Sequence, residues 1–186
     1  MSTAIMAAHQ GTSQMAAHQV TMHLLSLSYS FGDGIQSTVV ALIGKSLGEE
    51  KPELAKKYGV ICRKFAIVIA AVLAVVYIFG SKGIYSMFFD NPEVINIGIT
   101  ISHVLIAAII FQIPSVVYIG ALRGAGDTLY TAITSTISVT IIRTSVSYFF
   151  GYVLGMGIVG IWFGIVGDQC SRFIFSEIRF RQGKWT

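Results

Sequence analysis

The apolar residues of this chain are gathered into long runs separated by short polar breaks. A bilayer-crossing helix needs about 20 mostly apolar residues. Four runs meet that length, roughly 62–80, 94–119, 128–150 and 156–177. A fifth, roughly 15–43, is weaker because it carries His18, Gln19, His23 and several serines, but Asp33 is its only charge. Such a helix suits a position against protein rather than lipid. The pattern predicts an all-α fold, a polytopic integral membrane helix bundle with about five transmembrane helices. A single membrane domain, 14–186, would follow a short N-terminal remnant or loop, 1–13.

The breaks are legible as helix ends. Asp90-Asn91-Pro92-Glu93 reads as an N-cap, a proline at the first helical position and an acid in the first turn. Arg123-Gly124-Ala125-Gly126-Asp127-Thr128 reads as a cationic C-terminus, a glycine turn and an Asp/Thr cap for the next helix. Residues 49–57 read as a short amphipathic helix on the cytoplasmic side, and the glycines at 157, 160, 164 and 167 suit close backbone approach in the last span. Hydroxyls at Thr131, Thr134, Ser135, Ser138, Thr144 and Ser145 fall roughly on one face and read as helix–helix glue.

Charge adds an orientation. Residues 45–64 hold Lys45, Lys51, Lys56, Lys57, Arg63 and Lys64 against three glutamates, and the tail adds Arg179, Arg181 and Lys184. The opposite side offers Lys82 against Asp90 and Glu93. The positive-inside rule therefore predicts the C-terminus in the cytoplasm and the N-terminus outside. Aromatics at Tyr77, Phe79, Tyr85, Phe88 and Phe89, and at Tyr148, Phe149, Phe150 and Tyr152, read as outer interface clusters.

Composition agrees with the membrane reading: 54% of the 186 residues are hydrophobic, 12% are charged, and the mean hydropathy is +0.71. A net charge of +4 is too small to tile a phosphate track, so nucleic acid is not an expected partner. Cys62 and Cys170 form no CxxC pair, the four histidines have no ligand partner at useful spacing, and no metal is expected. There is no GxSxG or phosphate loop, which argues against an enzyme. The first residues lack a basic stretch followed by a compact apolar one, so no cleavable signal is expected; the AAHQ at 7–10 and 16–19 is read as a chance repeat.

Few charges enter the runs. Asp33 stands about 18 Å along a helix from Lys45, close to mid-membrane. A carboxylate there is either a cation-responsive group facing a cavity, or one that caps a break at Gly32–Gly34 or sits in a solvated vestibule. Gln112 lies about 16 Å from Arg123, and Pro114 beside it should kink the span and free carbonyls. Arg143 would reach the outer interface or pair with Asp33. Asp168 and Arg172, four apart, would pair near the cytoplasmic end of the last span.

The string Gly120-Ala121-Leu122-Arg123-Gly124-Ala125-Gly126-Asp127-Thr128 resembles the signature turn after the tenth helix of the multidrug and toxic compound extrusion (MATE) transporters. Gly32-Asp33-Gly34, Val39, Gly44 and Leu47-Gly48 resemble the end of that family's eighth helix, and 15–20 its start. The likeness runs from the eighth to the twelfth of twelve spans, leaving the N-terminal lobe and the seventh helix outside it. It implies a multi-pass protein of the plasma membrane that exports organic cations, drugs or toxins in exchange for H⁺ or Na⁺. No other cofactor is implied. Asp33, Gln36, Gln112, Pro114 and Tyr118 would line the cavity or serve coupling, while Arg123, Gly124, Gly126, Asp127 and Thr128 make the signature turn. Gln112 stands where the sodium-coupled branch has a carboxylate, which favours a cavity-lining or hydrogen-bonding role for it. Alternating access needs two bodies, so a chain of five spans would be inactive without the N-terminal lobe, in the same or a separate chain. The alternative is a non-transporting fragment or a small helical scaffold that binds another membrane protein.

Overall fold

A computed structural model describes residues 12–183 and 185. Most of the N-terminal segment 1–13 and the first AAHQ therefore lie outside the described residues, while Thr12 and Ser13 already belong to the first helix. Five helical rods follow one another, with no strand among the described residues. They are α1 (Thr12–Gly48), α2 (Pro52–Phe88), α3 (Pro92–Gly124), α4 (128–153) and α5 (Gly157–Arg181). Three of them, α2, α3 and α5, are long and apolar enough to cross a membrane by length and composition. Polar residues dilute α1.

The rod α4 is not a uniform helix. It alternates α-helix (Thr128–Ile137), π-helix (Ser138–Ile142), α-helix (Arg143–Tyr148) and π-helix (Phe149–Val153). The backbone N–H of Arg143 bonds the carbonyl of Ser138, and that of Leu154 bonds Phe149, each closing a wider i to i+5 turn. Residues five apart are thereby brought to one side.

Helix ends follow local chemistry. Asn91 accepts the N–H of Glu93 at 2.9 Å ahead of Pro92, as the sequence predicts. The amphipathic helix expected at 49–57 is not a separate element. Residues 49–51 form a turn, and Pro52 opens a 37-residue helix that continues into the membrane run. Proline suits the first helical turn, where its N–H would be unpaired anyway, and nothing between Lys57 and Cys62 stops the helix.

The central element is α3. Every residue from Gln112 to Leu122 is buried, so the helix is covered on all sides there. Against it lie α1, α2 and α5. Gly120 and Gly124 set the approach of α1: a Cβ on Gly120 would meet Gln36 Cγ at 2.9 Å, and one on Gly124 would meet the Val40 carbonyl oxygen at 2.7 Å. The last pair is closer still. A Cβ on Gly160 would overlap the Phe150 carbonyl, and one on Gly164 the Ser147 hydroxyl, so the predicted small-residue packing of the last span is realised against α4.

The aromatic reading needs correction. Tyr77 and Tyr85 are buried and serve the interior instead of an interface belt. Tyr77 donates to the Leu24 carbonyl at 3.1 Å, and Tyr85 lies 2.5 Å from the Thr21 hydroxyl and 3.3 Å from Ser102. A phenol buried among helices must find a polar partner, and α1 supplies one. Phe79, at 83% exposure, and Phe88 do face outward, as do Tyr148, Phe149 and Tyr152.

Candidate transport face and buried ion cluster

The exposed sides of α1 and α2 differ in chemistry. Along α1, the exposed residues Gln19, His23, Ser26, Ser30, Asp33 and Ser37 recur at alternating spacings of four and three. That spacing draws a single stripe along one side of a helix. Along α2, the corresponding stripe is Phe65, Val68, Val72, Val75, Val76 and Phe79, all exposed. Hydrocarbon accommodates the second stripe. It would penalise the first, because each polar group left without a partner in lipid costs several kcal/mol by order of magnitude. Ser26, Ser30 and Ser37 partly relieve that cost by donating to carbonyls four residues back, at 2.9–3.2 Å. Among the described residues, the carboxylate of Asp33, the imidazole of His23 and the amide of Gln19 have no such partner.

The five expected cavity residues divide between this face and the interior. Asp33 is on the stripe, and Gln36, half-buried beside it in sequence, packs on Gly120. Gln112 and Pro114 are fully enclosed in α3, which runs unbroken through the proline. The Gln112 side chain has no hydrogen-bond partner among the described residues; its backbone carbonyl accepts from the Ser115 hydroxyl at 2.7 Å. Tyr118 is buried and accepts a hydrogen bond from Arg63 at 3.0 Å. These residues do not converge on one pocket within this chain.

The signature turn is a mechanical joint. Gly120 and Gly124 seat α1, Gly126 takes φ +86° to reverse the chain, and Arg123 is exposed. Asp127 does not cap α4 with its side chain, contrary to the sequence reading. Its Oδ2 instead accepts from Arg179 Nε at 2.7 Å, fastening the turn to α5, while the same guanidinium lies over the Tyr130 ring at 4.9 Å. Thr128 opens α4, and its carbonyl accepts from Thr131 at 2.8 Å.

A buried ion cluster joins α4 to α5. Asp168 is 1% exposed; its Oδ1 accepts from Arg172 Nε at 2.8 Å, and its Oδ2 lies 4.0 Å from Arg143 Nη1. The Asp168–Arg172 pair forms as expected, but near the middle of α5 rather than at its end, 11 residues from Gly157. Arg143 pairs with Asp168, not with Asp33 or through the outer interface. Around the cluster, Ser171 bonds Ser138 at 3.0 Å, Ser147 donates to the Ile161 carbonyl at 2.9 Å, and Gln169 bonds Tyr29 of α1. The hydroxyl face expected on α4 is thus redistributed. Ser138 bridges helices and Ser147 joins it, whereas Thr131 and Thr134 bond within their own helix. The π turn at 138–142 is the reason, since it brings Ser138 and Arg143 to the same side.

Comparison with known proteins agrees with this architecture. The MatE family model matches residues 1–149, and the chain belongs to that family. It is therefore a multi-pass protein of the plasma membrane, in a family of transporters. It is 30% identical over 186 residues to "Uncharacterized transporter YisQ" of Bacillus subtilis strain 168, covering 98% of this chain and 39% of that protein. It is 33% identical over 176 residues to "Probable multidrug resistance protein NorM" of Listeria monocytogenes serovar 1/2a, covering 92% and 38%. The outward-facing structure of a multidrug resistance MATE family transporter superposes with a TM-score of 0.86 at 18% identity, over 94% of this chain and 39% of that one. The inward-facing structure of such a transporter gives 0.86 at 17% identity, over 100% and 43%. The chain thus spans about two fifths of the length of these relatives.

Proposed function

We propose that this chain forms one wall of the substrate path in an exporter of organic cations, drugs or toxins, with export coupled to entry of H⁺ or Na⁺. The observation that carries the reading is the polar stripe of α1, which includes Asp33, on a helix of a membrane protein whose neighbour α2 exposes an apolar stripe instead. A stripe of that kind belongs against water or a second protein body. The five helices share their fold with both an outward-facing and an inward-facing relative, which is compatible with their acting as one unit. Rocking requires a second unit to move against. The N-terminal lobe and the seventh helix, in the same or a separate chain, supply it, and the five helices alone do not transport.

Two measurements test this. In the intact exporter, Asp33→Asn is expected to bring drug efflux to the level of transporter-free cells at unchanged expression; wild-type efflux with unchanged pH and Na⁺ dependence removes Asp33 from the mechanism. Single cysteines placed at Ser26, Ser30 and Ser37, in a background lacking Cys62 and Cys170, should react with a membrane-impermeant maleimide. Cysteines at Val68 and Val72 should stay unlabelled. Equal protection of both stripes would place the α1 face in lipid or a dry interface and sink the reading.

A further inference from the structure

The basic end of the bundle holds a cluster separate from the α1 stripe. Arg63 of α2 donates from Nη1 to the Tyr118 hydroxyl of α3 at 3.0 Å, and the same nitrogen stands 4.0 Å from Glu177 Oε1 of α5. Arg181, one turn beyond, donates from Nη2 to that same oxygen at 2.5 Å. A cleft of about 270 Å³ opens here, walled by Val60, Arg63, Tyr118, Phe180 and Arg181. A second cleft, of about 300 Å³, is lined by Glu53, Lys56, Lys57, Val60 and Ile61, so Val60 borders both.

The charges in these clefts do not balance. Glu177 is shared by Arg63 and Arg181, and Glu53 is paired with Lys56 at 3.1 Å, which leaves two cations in excess. Each guanidinium offers five N–H donors, and one carboxylate oxygen and one phenol occupy a minority of them. Arg63 Nε is buried without a hydrogen-bond partner among the described residues. The remaining wall is apolar and leads away from the charge: Val60, Ile61, Phe65 and Val68 are all exposed along α2 and run into its hydrocarbon-facing stripe.

We propose that these two neighbouring clefts, which share Val60, together bind an anionic phospholipid. Its headgroup phosphate would lie between Arg63, Arg181 and the lysines at 56 and 57, and its acyl chains along Ile61, Phe65 and Val68. A planar guanidinium fork matches phosphate oxygens bidentately, and basic pockets between helices at the membrane surface suit such headgroups. The adjoining apolar track selects a lipid over a free phosphate. Bound there, the lipid ties the basic end of α2 to that of α5.

The test uses the intact transporter in nanodiscs of phosphatidylcholine containing phosphatidylglycerol, with retained lipid read by native mass spectrometry after release. Wild type should keep phosphatidylglycerol in preference to phosphatidylcholine, and millimolar inorganic phosphate should not displace it. Retention should fall about fivefold for each cation removed, since a cation near the surface contributes about 1 kcal/mol. Arg181→Gln is the first variant, because that side chain is 70% exposed and its removal leaves the core intact. The double variant Lys56→Gln, Lys57→Gln is the second, and thermal stability is read alongside. Lys45→Gln, on the exposed end of α1, is the control and should change nothing. Equal retention of the two lipids, displacement by inorganic phosphate, or an equal fall in the control overturns the proposal. None of these outcomes depends on efflux, so the transport reading stands or falls separately.

Discussion

Asp168→Ala is expected to destabilise the folded bundle by about 3–5 kcal/mol, the usual cost of removing one partner from a buried ion pair. The Asp168 side chain is 1% exposed and lies between two arginine side chains that are themselves about four-fifths buried. Without it, Arg143 and Arg172 face each other inside the bundle with no counter-charge. The size of the effect comes from those stranded cations more than from the missing Asp168–Arg172 hydrogen bond. A fluorescence-detected size-exclusion thermal shift on the intact protein measures it. The triple replacement Arg143→Met, Asp168→Leu, Arg172→Met should recover most of the stability, because an apolar set of similar volume removes the charges together. A drop below about 1 kcal/mol for Asp168→Ala would show that the guanidiniums find other partners, as exposed pairs do.

The second large effect is expected from Gly160→Ala. An added Cβ would stand 2.5 Å from the Phe150 carbonyl carbon and 2.7 Å from the Gly151 nitrogen. Both are backbone atoms of the π-helical end of α4, so no side chain can swing away. Overpacking costs about 1–3 kcal/mol where neighbours can adjust; here α4 must separate from α5, and the destabilisation should reach or exceed the top of that range. Gly34→Ala is the matched control. Its Cβ would meet nothing within 4 Å, and a helical glycine replaced by alanine gains roughly 0.5–1 kcal/mol. If both variants melt alike, close α4–α5 approach is not what the glycine provides.

These expectations also measure how far the chain can be read before folding. The runs between polar breaks, the caps at Asn91 and Pro92, and the glycines of the last span are legible because each depends on neighbours within a turn or two. Arg143 and Asp168 are visible as opposite charges inside apolar runs, but their pairing is not. It depends on a π turn that shifts the facing side of α4, and a 3.6-residue period applied throughout puts Ser145 where Ser147 belongs. Tyr77 and Tyr85 mislead for a related reason: an aromatic near a span end fits an interface belt or a buried hydrogen bond equally well until the partner helix is known.

The candidate face divides in the same way. Asp33 and the serines of α1 stand out in the chain itself, and the family likeness follows from the string at 120–128. That Gln112 is enclosed while Asp33 is exposed depends on α3 being the covered centre of the bundle. By itself, then, the sequence determined the membrane class, the five apolar runs and the family, because hydropathy is written in local order. The tertiary structure alone decided which polar groups look outward, which carboxylate is locked between arginines, and what the signature glycines are for. Those outcomes depend on which helix lies against which, and distant segments settle that together.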